Sequence, residues 1–239
     1  GWTMIPRDER GDELKGAGHR MTPDSKETSS PDAGSQCRRC GTCCRKGGPA
    51  LHYPDAQRVR TGAIEPSALV TLREGERVHD NVHGGIITVD TDVIKIQSRP
   101  DGLVCGFFDE ARSACRIYDH RPLECRALRC WDTAEIERIY AVDRLTRRDL
   151  FGEIPWLWEL IETHQERCHP GRLTSDIDAG DLSEMIAYDA HLRRLTAERT
   201  RVHVDWLPLI FGRPLPEIRR GALAGLSGQR AAVSDRAAP

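Results

Sequence analysis

Large apolar residues are sparse before position 37 and after position 221, and between those limits they recur with two different periods. Residues 1–36 are rich in Gly, Asp, Glu, Lys, Ser and Thr, and the stretch from Gly221, GALAGLSGQRAAVSDRAAP, is small and polar. Neither can bury enough apolar surface to offset the entropy of ordering a chain, which predicts a disordered extension over 1–36 and a mobile tail over 221–239. Inside them, alternation comes first. GIITVDTDVIKIQS, from Gly85 to Ser98, alternates β-branched residues on either side of Thr91 and Asp92 and predicts a hairpin. Val104 to Tyr118 predicts a second, with turn residues from Glu110 to Ser113, Cys105 on one arm and Cys115 on the other. Pairing those arms brings the two thiols together.

From about Asp132 the spacing becomes helical. Asp132 and Glu135 have the separation of a capping box ahead of Ile136, Ile139 and Tyr140. Pro155 opens a stretch in which Leu157, Leu160, Ile161 and His164 share one face, ending before Cys168 and Pro170. Asp181 and Glu184 form another capping-box candidate, followed by Leu182, Met185, Ile186, Ala190 and Leu192 on one broad face. Both stretches read as core helices, and His164 as a core or rim histidine. Shorter helical turns are predicted near Asp55 to Thr61, after Pro66, and after Pro122 with Asp119 or His120 as cap, while Val202 to Phe211 adds a strand or short helix. The resulting expectation is an α+β domain. Cysteine knuckles and short β-hairpins over 37–131 dock against a mainly helical half, 132–220, of the same domain.

Composition narrows the function classes. No apolar run approaches the roughly 18 residues of a membrane span, and residues 1–36 carry no apolar leader. Both point to a protein of the reducing cytoplasm, where thiolates bind metals more often than they pair as disulfides. The odd total of nine cysteines also argues against a complete disulfide framework. With 35 basic and 37 acidic side chains, the net charge of −2 makes no case for nucleic acid or an anionic membrane as partner.

Residues 37–44, CRRCGTCC, hold the candidate chemistry. Two residues between Cys37 and Cys40 let a tight turn bring both sulfurs to one tetrahedral ion or one cluster face, Gly41 supplies backbone freedom, and Cys43 repeats the step. Cys44 points differently from its neighbour and suggests a second metal, a different iron of a polynuclear cluster, or a thiol kept for chemistry. In DHRPLECRALRCW, Cys125 falls in the opening turn of a helix, where the dipole favours a thiolate. Cys130, five residues on, is turned about 140° away from it. The thiols sit among cations. Arg38, Arg39, Arg45 and Lys46 flank the first set, and Arg112, Arg116, Arg121, Arg126 and Arg129 the later ones; Arg38, Arg121 and Arg126 are the candidates to contact a bound cofactor.

The run CRRCGTCC, then Cys105 with Gly-Phe-Phe, then CRIYDHRPLECR from Cys115 to Arg126, resembles the CxxCxxCC cysteine-cluster family, also called YkgJ-like, whose members are described as zinc- or iron-chelating. The resemblance implies metal binding through Cys37, Cys40, Cys43, Cys44, Cys105, Cys115 and Cys125. Cys130 and Cys168 lie outside that pattern and are ligand candidates on this sequence alone, with His169 a further nitrogen donor and Tyr118 and Arg121 candidates to orient the site. Seven to nine thiols exceed the four that one zinc or one four-iron cluster takes. An iron–sulfur cluster of the 4Fe-4S type, serving redox chemistry with a redox protein partner, is the leading expectation. A zinc-stapled binding module for a protein or nucleic-acid partner is the alternative. Some flagellin lysine methylases are similar in their cysteine cluster, which makes methyl transfer a third reading, although no glycine-rich nucleotide-binding fingerprint follows a clear strand.

Overall fold

The computed structural model describes residues 39–80, 82–100 and 102–221; the predicted extension over 1–36, the tail beyond 221, Cys37 and Arg38 lie outside them. The fold is α+β, as the two periods imply. Its spine is one long antiparallel ribbon. Strands β1 (Leu69–Leu72) and β2 (Arg77–His79) run out, and β3 (Ile86–Thr88) and β4 (Val93–Ile96) run back. Leu69 faces Ile96, Leu72 faces Val93, Arg77 faces Thr88 and His79 faces Ile86, so the register stays in phase across the break between the two strand pairs.

This pairing corrects the first predicted hairpin. Its two arms are strands, but they pair with the preceding segment instead of with each other. The ribbon turns over Asp80–Gly85, where the Asp80 amide donates to the Gly85 carbonyl (2.9 Å) and Asp80 Oδ1 accepts from the amides of Val82 (2.8 Å) and His83 (3.0 Å). Thr91 and Asp92 are no hairpin turn, because Asp92 is drawn inward by Arg147, whose Nε and Nη2 donate to its two oxygens at 2.6 and 2.9 Å.

The second predicted hairpin forms, with Phe108 opposite Cys115 in strands β5 (Phe108–Asp109) and β6 (Ala114–Cys115). Ser113 closes its turn at φ 47°. Cys105 lies just before the paired arm, bridged instead to Ser98.

Helix α1 (Ala56–Arg60) precedes the ribbon, and α2 (Leu123–Ala127), α3 (Ala134–Ile139), α4 (Arg147–Phe151), α5 (Pro155–Arg167), α6 (Ala179–Arg199) and α7 (Leu207–Phe211) follow it. Pro155 opens α5 as predicted, and Leu157, Ile161 and His164 are its buried face. Both predicted capping boxes are displaced. α6 starts earlier, with Asp178 as cap accepting from Gly180 and Asp181 amides, and α3 starts after Thr133, with Asp132 accepting only from the Ala134 amide. An unpredicted box does form at α4, where the Thr146 hydroxyl and Asp149 carboxylate exchange hydrogen bonds with each other's backbone. Val202–Phe211 resolves as a helical turn followed by α7, not a strand.

One core fills the space between ribbon and helices, with Leu51, Ile64, Leu69, Ile94, Ile96, Leu145, Leu209 and Phe211 essentially inaccessible. A smaller one gathers Cys168, Leu173, Leu182, Met185, Leu215 and Ile218 between α5, α6 and the helical residues 215–221. α7 is tied to β1 by the Thr71 hydroxyl, which donates to the Leu209 carbonyl.

Candidate metal centre

The knuckle is built from backbone turns. Gly41 adopts φ +74°, a conformation that costs an L-residue roughly 1–2 kcal/mol, and the Arg45 amide returns to its carbonyl at 3.0 Å. A Cβ on Gly41 would lie 2.1 Å from the tip of the buried Phe108 ring. Gly41→Ala is therefore expected to destabilise the protein by about 1–2 kcal/mol and to lower metal occupancy, read by thermal denaturation and metal analysis of the same preparation; a variant matching wild type in both would show that the knuckle tolerates another backbone path.

Three connections pin this knuckle to the rest of the molecule. The Cys105 amide donates to the Cys44 carbonyl at 2.7 Å, placing the second segment against the first. The chain then enters the ribbon edge, where the Leu51 amide donates to Ile94 and the Ile96 amide to Pro49. Finally, α2 is held from a distance. Buried Asp55 accepts the Leu123 amide with both oxygens at 3.1 Å, in the place that sequence reading gave to Asp119 or His120. Glu124 accepts from the Ala50 amide at 2.8 Å and pairs with His52 Nε2 at 3.4 Å. His52 in turn bonds the Val142 carbonyl through Nδ1 at 2.7 Å; burial opposes its protonation, but these two bonds prevail and raise its pKa. Cys125 is thus fixed in the first turn of α2, as its position after Pro122 implies.

These contacts bring five thiols into one neighbourhood. Cys43, Cys105 and Cys115 each add repulsion to the Cys125 thiolate, and Cys44 is affected in the same way by Cys43, Cys105 and Cys125. Cys43 Sγ lies 4.0 Å from Cys44 Sγ. The hydrogen bond from Cys44, assisted by Arg121, brings Cys43 down to about 6, so it is largely thiolate at neutral pH, while the same contact pushes its neighbour up. Burial raises Cys105 and Cys125. Cys40, exposed beside Cys43, shares a 3.2 Å hydrogen bond with the Thr42 hydroxyl that lowers its pKa.

Arginines frame the cluster. Arg121 stacks on the Tyr118 ring at 3.6 Å and donates to the Tyr118 carbonyl, and Arg39 covers the same ring at 4.1 Å. Arg45 lies over Phe108 and donates to the Cys40 carbonyl at 3.1 Å. Arg126 is half exposed and leans 4.0 Å from Asp55. An apolar cleft of about 280 Å³ opens beside α2 between Leu123, Pro54, Ile139 and Val142.

Two predicted ligands sit on other elements. Cys130 is exposed on the turn after α2. Cys168 is fully buried in the smaller core, its thiol 3.7 Å from the Met185 carbonyl and raised to about 11 by burial and by Asp189. Neighbouring His169 caps the following turn through Nδ1, accepting from the Gly171 amide at 3.1 Å.

The surroundings of Cys168 were not legible in the sequence as a cluster. His164, Cys168 and Asp189 place their ligand atoms within 4.8 Å of one another. The histidine lies in the last turn of α5, the cysteine directly follows that helix, and the carboxylate comes from α6. Hydrogen bonds already engage this trio: His164 Nε2 meets Asp189 Oδ1 at 2.7 Å, Arg193 donates to the same oxygen at 2.8 Å, and Arg73 Nη1 lies 3.4 Å from His164 Nδ1. Two guanidiniums at that range oppose a cation.

Burial, with repulsion from Arg73 and Arg193, overcomes the pull of Asp189 and brings His164 from 6.5 down to about 4. The unfolded chain then binds a proton between those values that the folded one refuses, so stability falls as pH drops from 6.5 towards 4 and levels off below. The loss is on the order of 3 kcal/mol at roughly 1.4 kcal/mol per unit. It is read from urea midpoints against pH, and His164→Gln should flatten the curve in that interval. Asp189 is held low by the same partners despite its burial, so its own contribution disappears only below the ordinary carboxylate range.

Among the described residues no helix is long and apolar enough to cross a membrane. No curated protein and no solved structure matches the chain. Residues 36–145, which carry every cysteine except Cys168, match the model of the CxxCxxCC family, whose description is "putative zinc- or iron-chelating domain", and this match supports metal binding by that part of the chain.

Proposed function

We propose that the cysteine cluster holds an iron–sulfur cluster of the 4Fe-4S type and that the protein passes single electrons to a redox partner protein. The observation that carries this reading is the convergence of Cys43, Cys44, Cys105, Cys115 and Cys125 on one basic, partly buried neighbourhood. Cys37 and Cys40, at the two-residue spacing, complete the donor set. All are thiols, and soft sulfur donors suit iron–sulfur clusters as well as zinc.

The arginines around the thiolates support the polynuclear choice, because an iron–sulfur cluster held by thiolates carries negative charge. The thiolates would hold such a group, which supplies one-electron transfer when bound. Arg121, Arg39 and Arg45 would offset its negative charge, and Tyr118, whose ring meets both Arg39 and Arg121, would fix where those two stand.

Iron and acid-labile sulfide in equal amounts, with a broad visible absorption band, are expected from protein purified anaerobically without a tag. Zinc without sulfide or colour would overturn the redox reading and leave a zinc-stapled binding module, to be pursued through its partners.

A further inference from the structure

Four arginines converge where the ribbon meets α4, α5 and α6, and three of them have a carboxylate. Arg147 grips Asp92, Arg193 grips Asp189, and Arg213 grips Glu76. Arg73, which follows β1, has none among the described residues, yet it is fully buried. Its Nη1 is occupied, donating to the Cys168 carbonyl at 3.0 Å and lying 3.4 Å from His164 Nδ1 and 3.5 Å from Gln165 Oε1. Its Nε and Nη2 have no hydrogen-bond partner among the described residues.

Those two nitrogens form one edge of the guanidinium, and the neighbours show what that edge is for. Arg147 holds both oxygens of Asp92 through the same pair of atoms, and Arg213 uses the same pair on Glu76. Buried donors are costly to leave unmade, and a buried charge without a counter-charge more so. The charge balance agrees with the geometry: Arg73, Arg147, Arg193 and Arg213 face Asp92, Glu76 and Asp189, with His164 neutral, which leaves one positive charge in excess. Burial and Arg147 bring Arg73 down only to about 10, so it stays charged at neutral pH.

We propose that the Nε–Nη2 edge of Arg73 is a buried binding site for a small monovalent anion, a halide or an oxyanion no larger than formate. Monovalency follows from the single excess charge. Small size follows from burial: both nitrogens are inaccessible to solvent, and the backbone at Gly212 packs against the arginine stem, where an added Cβ would stand 2.8 Å from Arg73 Cγ. An anion there would tie the ribbon to α5, through Cys168 and His164, and to α6, through Asp189.

Bromide is the probe, used on the full, metal-loaded chain. Crystals grown in sodium bromide should show an anomalous peak within hydrogen-bonding distance of both Arg73 nitrogens. Replacing gluconate by bromide at constant ionic strength should raise the melting temperature of the wild type by roughly 5–10 °C at a hundredfold excess over Kd, and leave Arg73→Met unmoved. Ordered waters in the fork without anomalous signal would overturn the proposal, as would equal bromide responses of wild type and Arg73→Met. Should Arg73→Met fail to fold, the anomalous map decides alone.

Discussion

Cys125→Ser is expected to strip the protein of most of its metal and to unfold the segment that the metal organises. Cys125 is the ligand candidate placed with most effort: its helix is capped by Asp55, clamped by Glu124 to Ala50 and His52, and its thiol is desolvated among other cysteines. Because a ligand set of this kind is not preformed in an unfolded chain, binding free energy is folding free energy, on the order of 10 kcal/mol for structural thiolate sites. The loss should appear as reduced metal stoichiometry together with a lower, broader thermal transition. Chelation of the wild type should reproduce it. Cys130→Ser, at an exposed position on the turn after α2, is expected to change neither. Unaltered stoichiometry in Cys125→Ser would remove that residue from the ligand set.

Asp189→Ala is expected to cost about 3–5 kcal/mol, the usual consequence of removing one side of a buried ion pair. Asp189 accepts from His164, Arg193 and the Leu215 amide, so its removal orphans donors on α5, on α6 and at the start of the helical residues 215–221 together. It also deepens the excess of positive charge around Arg73. The effect should be independent of metal loading, since this network lies in the helical half; equal loss of metal in Asp189→Ala and Cys125→Ser would show that the two halves fold as one cooperative unit. A change below about 1 kcal/mol would mean that the network is no better than neutral for stability.

The sequence was legible where a local pattern decided the outcome. The face of α5, the turn over Glu110–Ser113 and the position of Cys125 all depend on residues a few places apart, and all three stand. Choices between partners were harder. Strand Val93–Ile96 was visible, but it could pair with Ile86–Thr88 or with an earlier strand, and the earlier segment, β1, carries only four strand residues. The signal that would have decided it is DNVHGG, a stronger turn than Thr91-Asp92, because two glycines with φ of 77° and 83° follow an aspartate that caps its own loop. The inward charges of Arg73, Glu76 and Arg147 had no signature at all. Each looks like a surface residue in isolation and becomes buried only through partners supplied from elsewhere in the chain, carbonyls and a carboxylate for the arginines and the Arg213 guanidinium for Glu76. The same holds for Asp55, which caps a helix 68 positions away.

That long reach from Asp55 to α2 sets a schedule for maturation. The 85 positions from Cys40 to Cys125 take roughly 4–17 s to translate at about 5–20 residues per second, and until Leu123 emerges the Asp55 carboxylate has only its local partners, the His52 amide and Arg58, and cannot hold α2 beside the knuckle. The early thiols therefore wait on the ribosome without their later companions. Loading of the finished centre has to follow the emergence of α2, and the interval before it is when Cys40 and Cys43 are open to oxidants and to the wrong ion.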